Sequence, residues 1–307
     1  MQSDTGTILF TVVIPFLNEE RWLELCLSAL QAQTLSPDQF ELILVDNGST
    51  DRSVEIISRF AQARLLSESR RDPYLARNKG IEAAKGRYLV FLDADCIPHR
   101  DWLSELKRSV EADAPSIVLG YLSNPANCSS LLRRYEEYYD AKLRYLLARK
   151  LSSHYYGHAG NMVIHRDVFR HLGPFPPMPV VGDTEIIHRL LAHEPEAKIS
   201  YCASARVVHA ELSSFTICLH KLYECGAYAE TYRRVSEFRT VPFSHRLRIF
   251  AQCAKEHRYG SSKSLECVWM LFCGWLSFLA GRMMRSFAIF RTGAVPIHKS
   301  ESNAPVP

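Results

Sequence analysis

Short, uniformly apolar runs alternate with longer segments whose apolar residues recur every three or four positions. Ile8–Pro15 predicts a first strand, closed by Pro15 because proline cannot donate to a ladder. Asn18 is placed to cap a helix with Glu19 and Glu20 in its first turn, and Trp22, Leu23, Cys26, Leu27 and Leu30 follow at helical spacing. Phe40–Val45 predicts a second strand, ending in a turn-rich stretch from Asp46 to Asp51. Val54, Ile57 and Phe60 then share a helix face, and Ala63–Ser67 predicts a third strand. Residues 74–86 read as a helix stopped by Gly86, followed by a strand at Tyr88–Leu92. Trp102, Leu103, Leu106 and Val110 mark another helix, and Ile117–Leu119 a further strand. Such alternation predicts an α/β layered fold, and strands this uniformly apolar suit a parallel sheet covered on both faces.

After Gly120 the rhythm breaks. Ser129–Leu151 predicts a long helix with a broad Leu and Tyr face suited to core packing, and Asn161–His165 a strand. A loop with four prolines follows Gly173, since proline forbids helix there. Asp183 is placed to cap the next helix, and Ile199–Cys202 and Arg206–His209 predict two short strands. This assigns residues 1–218 to a first domain, 219–291 to a basic, apolar helical region and 292–307 to a disordered tail. Within the second region Cys267–Gly281 carries no charge over fifteen residues, bracketed by Glu266 and Arg282. A spanning helix needs about 20 apolar residues. The run is short for that, and favours a helix embedded in or lying on a membrane, with Arg282 and Arg285 reaching headgroups, over a helix buried against the first domain.

Charge sharpens this division. The whole chain carries +4, too little to argue for nucleic acid as a partner, but residues 221–300 hold 13 Lys and Arg against 5 Asp and Glu. A basic C-terminal segment on a near-neutral to acidic body predicts contact with an anionic membrane surface. Nine scattered cysteines without a C-x-x-C pair fit reduced thiols in a cytoplasmic compartment. No basic flank precedes an apolar run at the N-terminus, so no secretory signal is expected.

Candidate chemistry gathers after the strand Tyr88–Leu92. Asp93 and Asp95 are two apart, so on extended backbone both leave the same side, with Ala94 keeping the space between them clear. Ligands of open α/β sheets collect at the carboxyl ends of strands, and two hard oxygen donors there suit a divalent cation beside a phosphate-bearing substrate. Asp-x-Asp alone is a weak signal.

The pieces gain meaning in series. Val13-Ile-Pro-Phe-Leu-Asn-Glu-Glu20, Val45-Asp-Asn-Gly-Ser-Thr-Asp51, Ala76-Arg-Asn-Lys-Gly80 and Phe91-Leu-Asp-Ala-Asp95 appear in order. Gly160-Asn161-Met162, Gly182-Asp183-Thr184-Glu185 and Val208-His209 follow. The ordered set, over roughly residues 8 to 232, resembles the family 2 glycosyltransferases. The resemblance implies the GT-A fold, Rossmann-like with a mostly parallel central sheet, and a nucleotide-diphospho-sugar donor. It places Pro15, Asn18, Glu19, Asp46, Arg77, Lys79 and Asp93 around the nucleotide. Asp95 and His209 fall to a Mg²⁺ or Mn²⁺ ion, Asp183 to the catalytic base, and Gly160, Asn161 and Glu185 to the acceptor side. Asp46 suits the imide N–H of uracil, so a UDP-linked donor is expected. Two positions depart from the family pattern: Asn47 stands where a second Asp is usual, and Gly182 where Glu is usual.

The expectation is therefore an inverting, metal-assisted glycosyltransferase with a hydroxyl-bearing acceptor, glycan or lipid-linked, working at the cytoplasmic face of a membrane in envelope polysaccharide synthesis. A nucleotidyltransferase-like enzyme is the alternative within enzymology, although the acidic loop Pro15–Glu20 is ill suited to a triphosphate. A catalytically silent sugar-nucleotide-binding membrane scaffold is the alternative outside it.

Overall fold

The computed structural model describes residues 8–178, 180–235 and 238–292, with backbone alone over 230–235 and 285–292. The Arg285 side chain and the tail beyond Thr292 lie outside the described residues.

The elements run β1 (Phe10–Phe16), α1 (Leu23–Gln31), β2 (Phe40–Asp46), α2 (Ser53–Ser58), β3 (Ala63–Ser67), α3 (Pro73–Ala83) and β4 (Tyr88–Phe91). Then come β5 (Cys96–Pro98), α4 (Trp102–Asp113), β6 (Ile117–Ser123), α5 (Ser130–Ala148), β7 (Met162–His165), α6 (Arg166–Leu172) and α7 (Gly182–His193). β8 (Ile199–His209), α8 (Phe215–Val235), α9 (Phe243–Glu256) and α10 (Ser261–Thr292) complete the described chain. One mixed sheet orders its strands β3-β2-β1-β4-β7-β6-β8-β5. The first four are parallel, as alternation with helices requires. β7 is antiparallel to both β4 and β6, and β8 runs parallel to β6.

Several local expectations shift. β1 runs through Pro15 to Phe16. The Val13 carbonyl accepts from Leu92 on the β4 side, so two residues on Pro15 faces the same side, where β4 has already ended and no donor is missed. Asn18 does not cap α1, which starts at Leu23. It adopts φ 57° and its side-chain oxygen accepts from the Thr50 backbone instead. Gly86 does not stop α3; its N–H donates to Thr11 Oγ1, and a Cβ there would strike the β1 backbone at 2.4 Å. The two strands expected near the end of the sheet are one, β8, bent by a register shift opposite Gly120 and Tyr121.

Both faces of the sheet are covered, by α1, α2 and α4 on one side and by α3, α5 and α7 on the other. The second core extends into the C-terminal helices, burying Ile249, Cys253, Cys267 and Met270 against Tyr138 and Ala141 of α5. α8 runs straight through position 218, and α10 lies along it through small residues. A Cβ on Gly226 would meet the Phe278 carbonyl at 2.0 Å, and one on Gly281 the Tyr223 carbonyl at 2.0 Å. α10 is much longer than its charge-free run: Ser261–Met284 alone has the length and apolar character to cross a membrane, with a mean hydropathy of 1.4. Its outer face leaves Leu265, Val268, Trp269, Phe272, Trp275 and Leu276 exposed. These recur at i, i+3, i+4 and i+7, one continuous apolar stripe.

Candidate active site

The carboxyl ends of β1, β2 and β4 open on one side of the sheet, where the loops carrying Asn18, Asp46 and Asp93 meet. The first two loops are stitched together. Asn18, Glu19 and Glu20 donate their backbone N–H groups to Ser49 Oγ, Ser53 Oγ and Asp51 Oδ2 at 3.0, 2.8 and 3.0 Å. Asp46 Oδ1 accepts from the Ser49 backbone, and Asn47 spends its amide on the carbonyls of Glu68 and Arg70. Asn47 is thus a framework residue, while Asp46 keeps its other oxygen for a ligand.

β4 does not continue straight through the two aspartates. A turn closes from the Asp93 carbonyl to the Cys96 N–H at 3.0 Å, so the carboxylates part rather than share a face. Asp93 takes Arg77, whose Nη2 lies 2.5 Å from Asp93 Oδ1. Asp95 takes His209, Nδ1 to Oδ2 at 3.2 Å, both nearly buried. The segment around Arg77 explains itself residue by residue. Arg77 points at Asp93, Asn78 exchanges hydrogen bonds with the Phe175 backbone in the Pro-rich loop, and Gly80 lets α3 lie on Val13. Lys79, two residues on from Arg77, lies on the opposite helix face, exposed in a groove with Glu68, Arg70 and Pro174. The structure therefore separates Arg77 from Lys79, which the sequence had grouped.

Asp183 is not an N-cap; Val181 holds that position with φ 64°. Asp183 sits inside the first turn of α7 and accepts two main-chain donors, Thr184 N–H at Oδ1 (2.7 Å) and Ala159 N–H at Oδ2 (2.9 Å). The departure at Gly182 has a physical reason, because a Cβ there would press on the Tyr74 ring at 2.7 Å. Tyr74 in turn accepts the Asp183 N–H at its hydroxyl and stacks under Arg77. The turn at 157–160 joins the two halves of the site. Gly157 lies so close that a Cβ would meet the Asp183 carbonyl at 2.7 Å, and one on Gly160 would meet Asp93 Oδ2 at 3.2 Å. Asp183 and the Asp93–Asp95 turn therefore flank one short segment, with His158 between them.

Two acceptor-side expectations fail on geometry. Asn161 is fully buried and spends its amide on Trp102, Tyr121 and Ala205, so it ties β6, β8 and α4 together instead of facing a ligand. Glu185, two residues along α7 from Asp183, points the other way and is buried beside Arg189 at 3.1 Å. Arg189 holds the carbonyls of Leu172 and Pro174, so this pair fixes the Pro-rich loop.

The electrostatics call for a cation. Burial, then the Asp93 charge, pushes Asp95 up to about 7, and burial with the Asp95 charge pushes Glu19 up to about 8. Glu19 thus belongs with the acidic cluster as much as with the nucleotide loop. Burial pulls His209 down to about 4, leaving it neutral, and its Nδ1 is a buried atom without a hydrogen-bond partner. Asp95, Cys96 and His209 offer ligand atoms all within 4.8 Å of one another. A carboxylate and a neutral imidazole can hold a divalent cation. Cys96 is a softer donor, and burial holds its thiol well above its ordinary range. Sequence reasoning missed Glu211 and Lys221, which close the cluster: Lys221 Nζ lies 3.1 Å from Glu211 and 3.2 Å from His209 Nε2. The only available signal was Glu211 two residues after His209; nothing local marks Lys221.

Comparison with known proteins agrees with this geometry. The profile for Glycosyl transferase family 2 matches residues 11–173, more than half of the chain. Glycosyltransferase AglE of Haloferax volcanii is 31% identical over 185 residues, a match covering 58% of this chain and 60% of that protein. Glycosyltransferase GlyG of Streptococcus pneumoniae is 34% identical over 121 residues, 38% of this chain and 40% of that one. The matches thus span less than two thirds of these relatives. Among solved structures, a mannosyltransferase from Pyrobaculum calidifontis in complex with GDP-Man and Mn²⁺ superposes with a TM-score of 0.59 at 19% identity, covering 94% of this chain and 80% of that one. S. aureus TarS in complex with UDP-GlcNAc gives 0.55 at 12% identity, over 93% and 92%. At such identities these two establish the fold, GT-A, and nothing finer.

Proposed function

The chain belongs to glycosyl transferase family 2, and on that premise we propose an inverting enzyme that moves a sugar from a UDP-linked donor to the hydroxyl of a glycan or lipid-linked acceptor. One observation supports the reading: the 157–160 turn has Asp183 on one side and the Asp93–Asp95 turn on the other. Asp183 Oδ1 takes both the N–H and the hydroxyl of Thr184, whereas Oδ2 accepts only the Ala159 N–H and keeps a second lone pair for the acceptor proton. In the step, the acceptor hydroxyl gives its proton to Asp183 and its oxygen bonds to the anomeric carbon. The carbon–oxygen bond to phosphate breaks with its electron pair, and the nucleoside diphosphate leaves. A single base and direct displacement give inversion. Asp95 and His209 would hold a divalent ion, and such an ion would supply positive charge to the departing diphosphate.

Arg77 is spoken for by Asp93 and positions that carboxylate toward the donor ribose. Pro15, Asn18 and Asp46 frame the base, and Asp46 accepts its imide N–H. Gly160 gives an acceptor close access to the backbone. The nucleotidyltransferase alternative loses ground here, because the N–H groups of Asn18, Glu19 and Glu20 are already taken and cannot cradle a triphosphate.

We place residues 219–291 at the cytoplasmic face of a membrane. α10 is tied along its inner face to α8, which also serves the site through Lys221, so the helix lies in the interface rather than crossing it. Its outward Trp269 and Trp275 suit the headgroup level. Thermal stabilisation by UDP, GDP and ADP with Mn²⁺ tests the donor: UDP is expected to stabilise most, and only with metal. Equal shifts with all three refute the base assignment. Pelleting with anionic liposomes at low salt tests the membrane; a wholly soluble full-length protein refutes it.

A further inference from the structure

Lys221 is a cation of the acidic cluster that the transfer step leaves without a task. It reaches in from α8, with Nζ 3.1 Å from Glu211 Oε2 and 3.2 Å from His209 Nε2. We propose that Lys221 is the resident counter-cation of the metal site: it holds His209 in the tautomer that cannot bind metal, and passes to the donor's diphosphate when a divalent ion enters. The proposal rests on the metal-assisted reading above.

The argument runs through donors and lone pairs. An ammonium has three donors and no acceptor, so at this contact His209 Nε2 accepts. A neutral imidazole then carries its proton on Nδ1, which lies 3.2 Å from Asp95 Oδ2 but off the line of a hydrogen bond. Nδ1 is thus turned to Asp95, whose ligand oxygen, with atoms of Cys96 and His209, falls within a 4.8 Å group. A protonated ring nitrogen has no lone pair for a metal. For Nδ1 to ligate, the proton must pass to Nε2, and Nε2–H then points at the ammonium, donor against donor. Lys221 must withdraw from His209 before the metal is held.

Charge points the same way. Glu19, Asp93 and Glu211 crowd around Asp95, with Arg77 committed to Asp93, so Lys221 is the mobile cation of the group. α8 itself is fixed along α10 by the close approaches at Gly226 and Gly281, so movement falls to the flexible lysine stem. Donor phosphates held at a metal on Asp95 would present an anion for the released ammonium.

The test uses the full-length protein with Mn²⁺ alone, then with UDP. Lys221→Met should bind Mn²⁺ at least fivefold more tightly than wild type by calorimetry, yet bind UDP at saturating Mn²⁺ at least fivefold more weakly. Lys221→Gln repeats both measurements should the methionine variant fail to fold. Loss of repulsion alone also tightens Mn²⁺, so the deciding readout is the His209 tautomer by ¹⁵N NMR with diamagnetic Mg²⁺. Wild type should show Nδ1–H without metal and Nε2–H with it. A metal-free wild type already in the Nε2–H form, or unchanged Mn²⁺ and UDP affinities in the variants, overturns the proposal. Mn²⁺ bound by neither wild type nor variant instead overturns the metal reading beneath it.

Discussion

Asp183→Asn separates chemistry from architecture, but it is not silent on folding. Both Asp183 oxygens accept main-chain N–H groups, from Thr184 and Ala159. An asparagine has one oxygen, so whichever way its amide turns, its NH₂ meets a donor. One buried N–H is left unmatched, at a cost of about 1–3 kcal/mol. The urea midpoint should fall with an unchanged slope. If the amide turns its NH₂ to Ala159, the 157–160 turn loosens as well. Catalysis should suffer far more than folding, because removing a general base costs roughly 10²–10⁴-fold in turnover. The assay is release of nucleoside diphosphate from the donor, paired with donor binding by calorimetry. Turnover is expected to fall at least a hundredfold while the donor dissociation constant stays within about twofold, since Asp183 faces the acceptor. Turnover within tenfold of wild type refutes the assignment of the base. Donor binding lost in proportion to turnover refutes the geometry, by placing Asp183 on the nucleotide.

Asp95→Asn should abolish stabilisation by Mn²⁺ while Asp93→Asn, whose partner is Arg77, should retain most of it; melting with and without metal distinguishes them. Lys142 packs against the rings of Tyr139 and Tyr156 at 4.7 and 4.3 Å, and burial pulls it down to about 7. At this residue the unfolded chain, with an ordinary lysine near 10.4, then holds more protons than the folded one above pH 7, so the Lys142 contribution to stability rises from there toward 10. Lys142→Met should therefore be more stable than wild type at pH 6, with the gain shrinking as pH climbs through that window in urea melts. Trp269→Glu with Phe272→Glu, both on the exposed stripe of α10, should lose liposome pelleting yet keep turnover on a water-soluble acceptor.

Much of the scaffold was legible because its causes are local. Uniformly apolar runs such as Val12–Val13–Ile14 and Tyr88–Phe91 bury on both faces wherever they sit, and the helices between them force parallel pairing. The long helix expected from Ser129 starts there, with Ser129 capping α5 by accepting from Leu132 N–H. The capping roles of Asn18 and Asp183 failed for one shared reason. Each side chain has a better partner from a distant segment, Thr50 in one case and Ala159 in the other, and no local rule sees those donors. The same holds for Arg77 and Lys79, adjacent in the motif but on opposite faces of α3 once it forms.

The sequence by itself determined the alternation of strands and helices, the carboxylates at a strand end and an apolar C-terminal helix, since each is a matter of residue type and spacing. Only the tertiary structure decided what each polar group does. It split Asp93 from Asp95, turned Asn161 and Glu185 inward, and brought Lys221 across from α8 to His209. Hydrogen bonds and ion pairs act over about 3 Å, and which atoms come that close across a hundred residues of chain is fixed by packing.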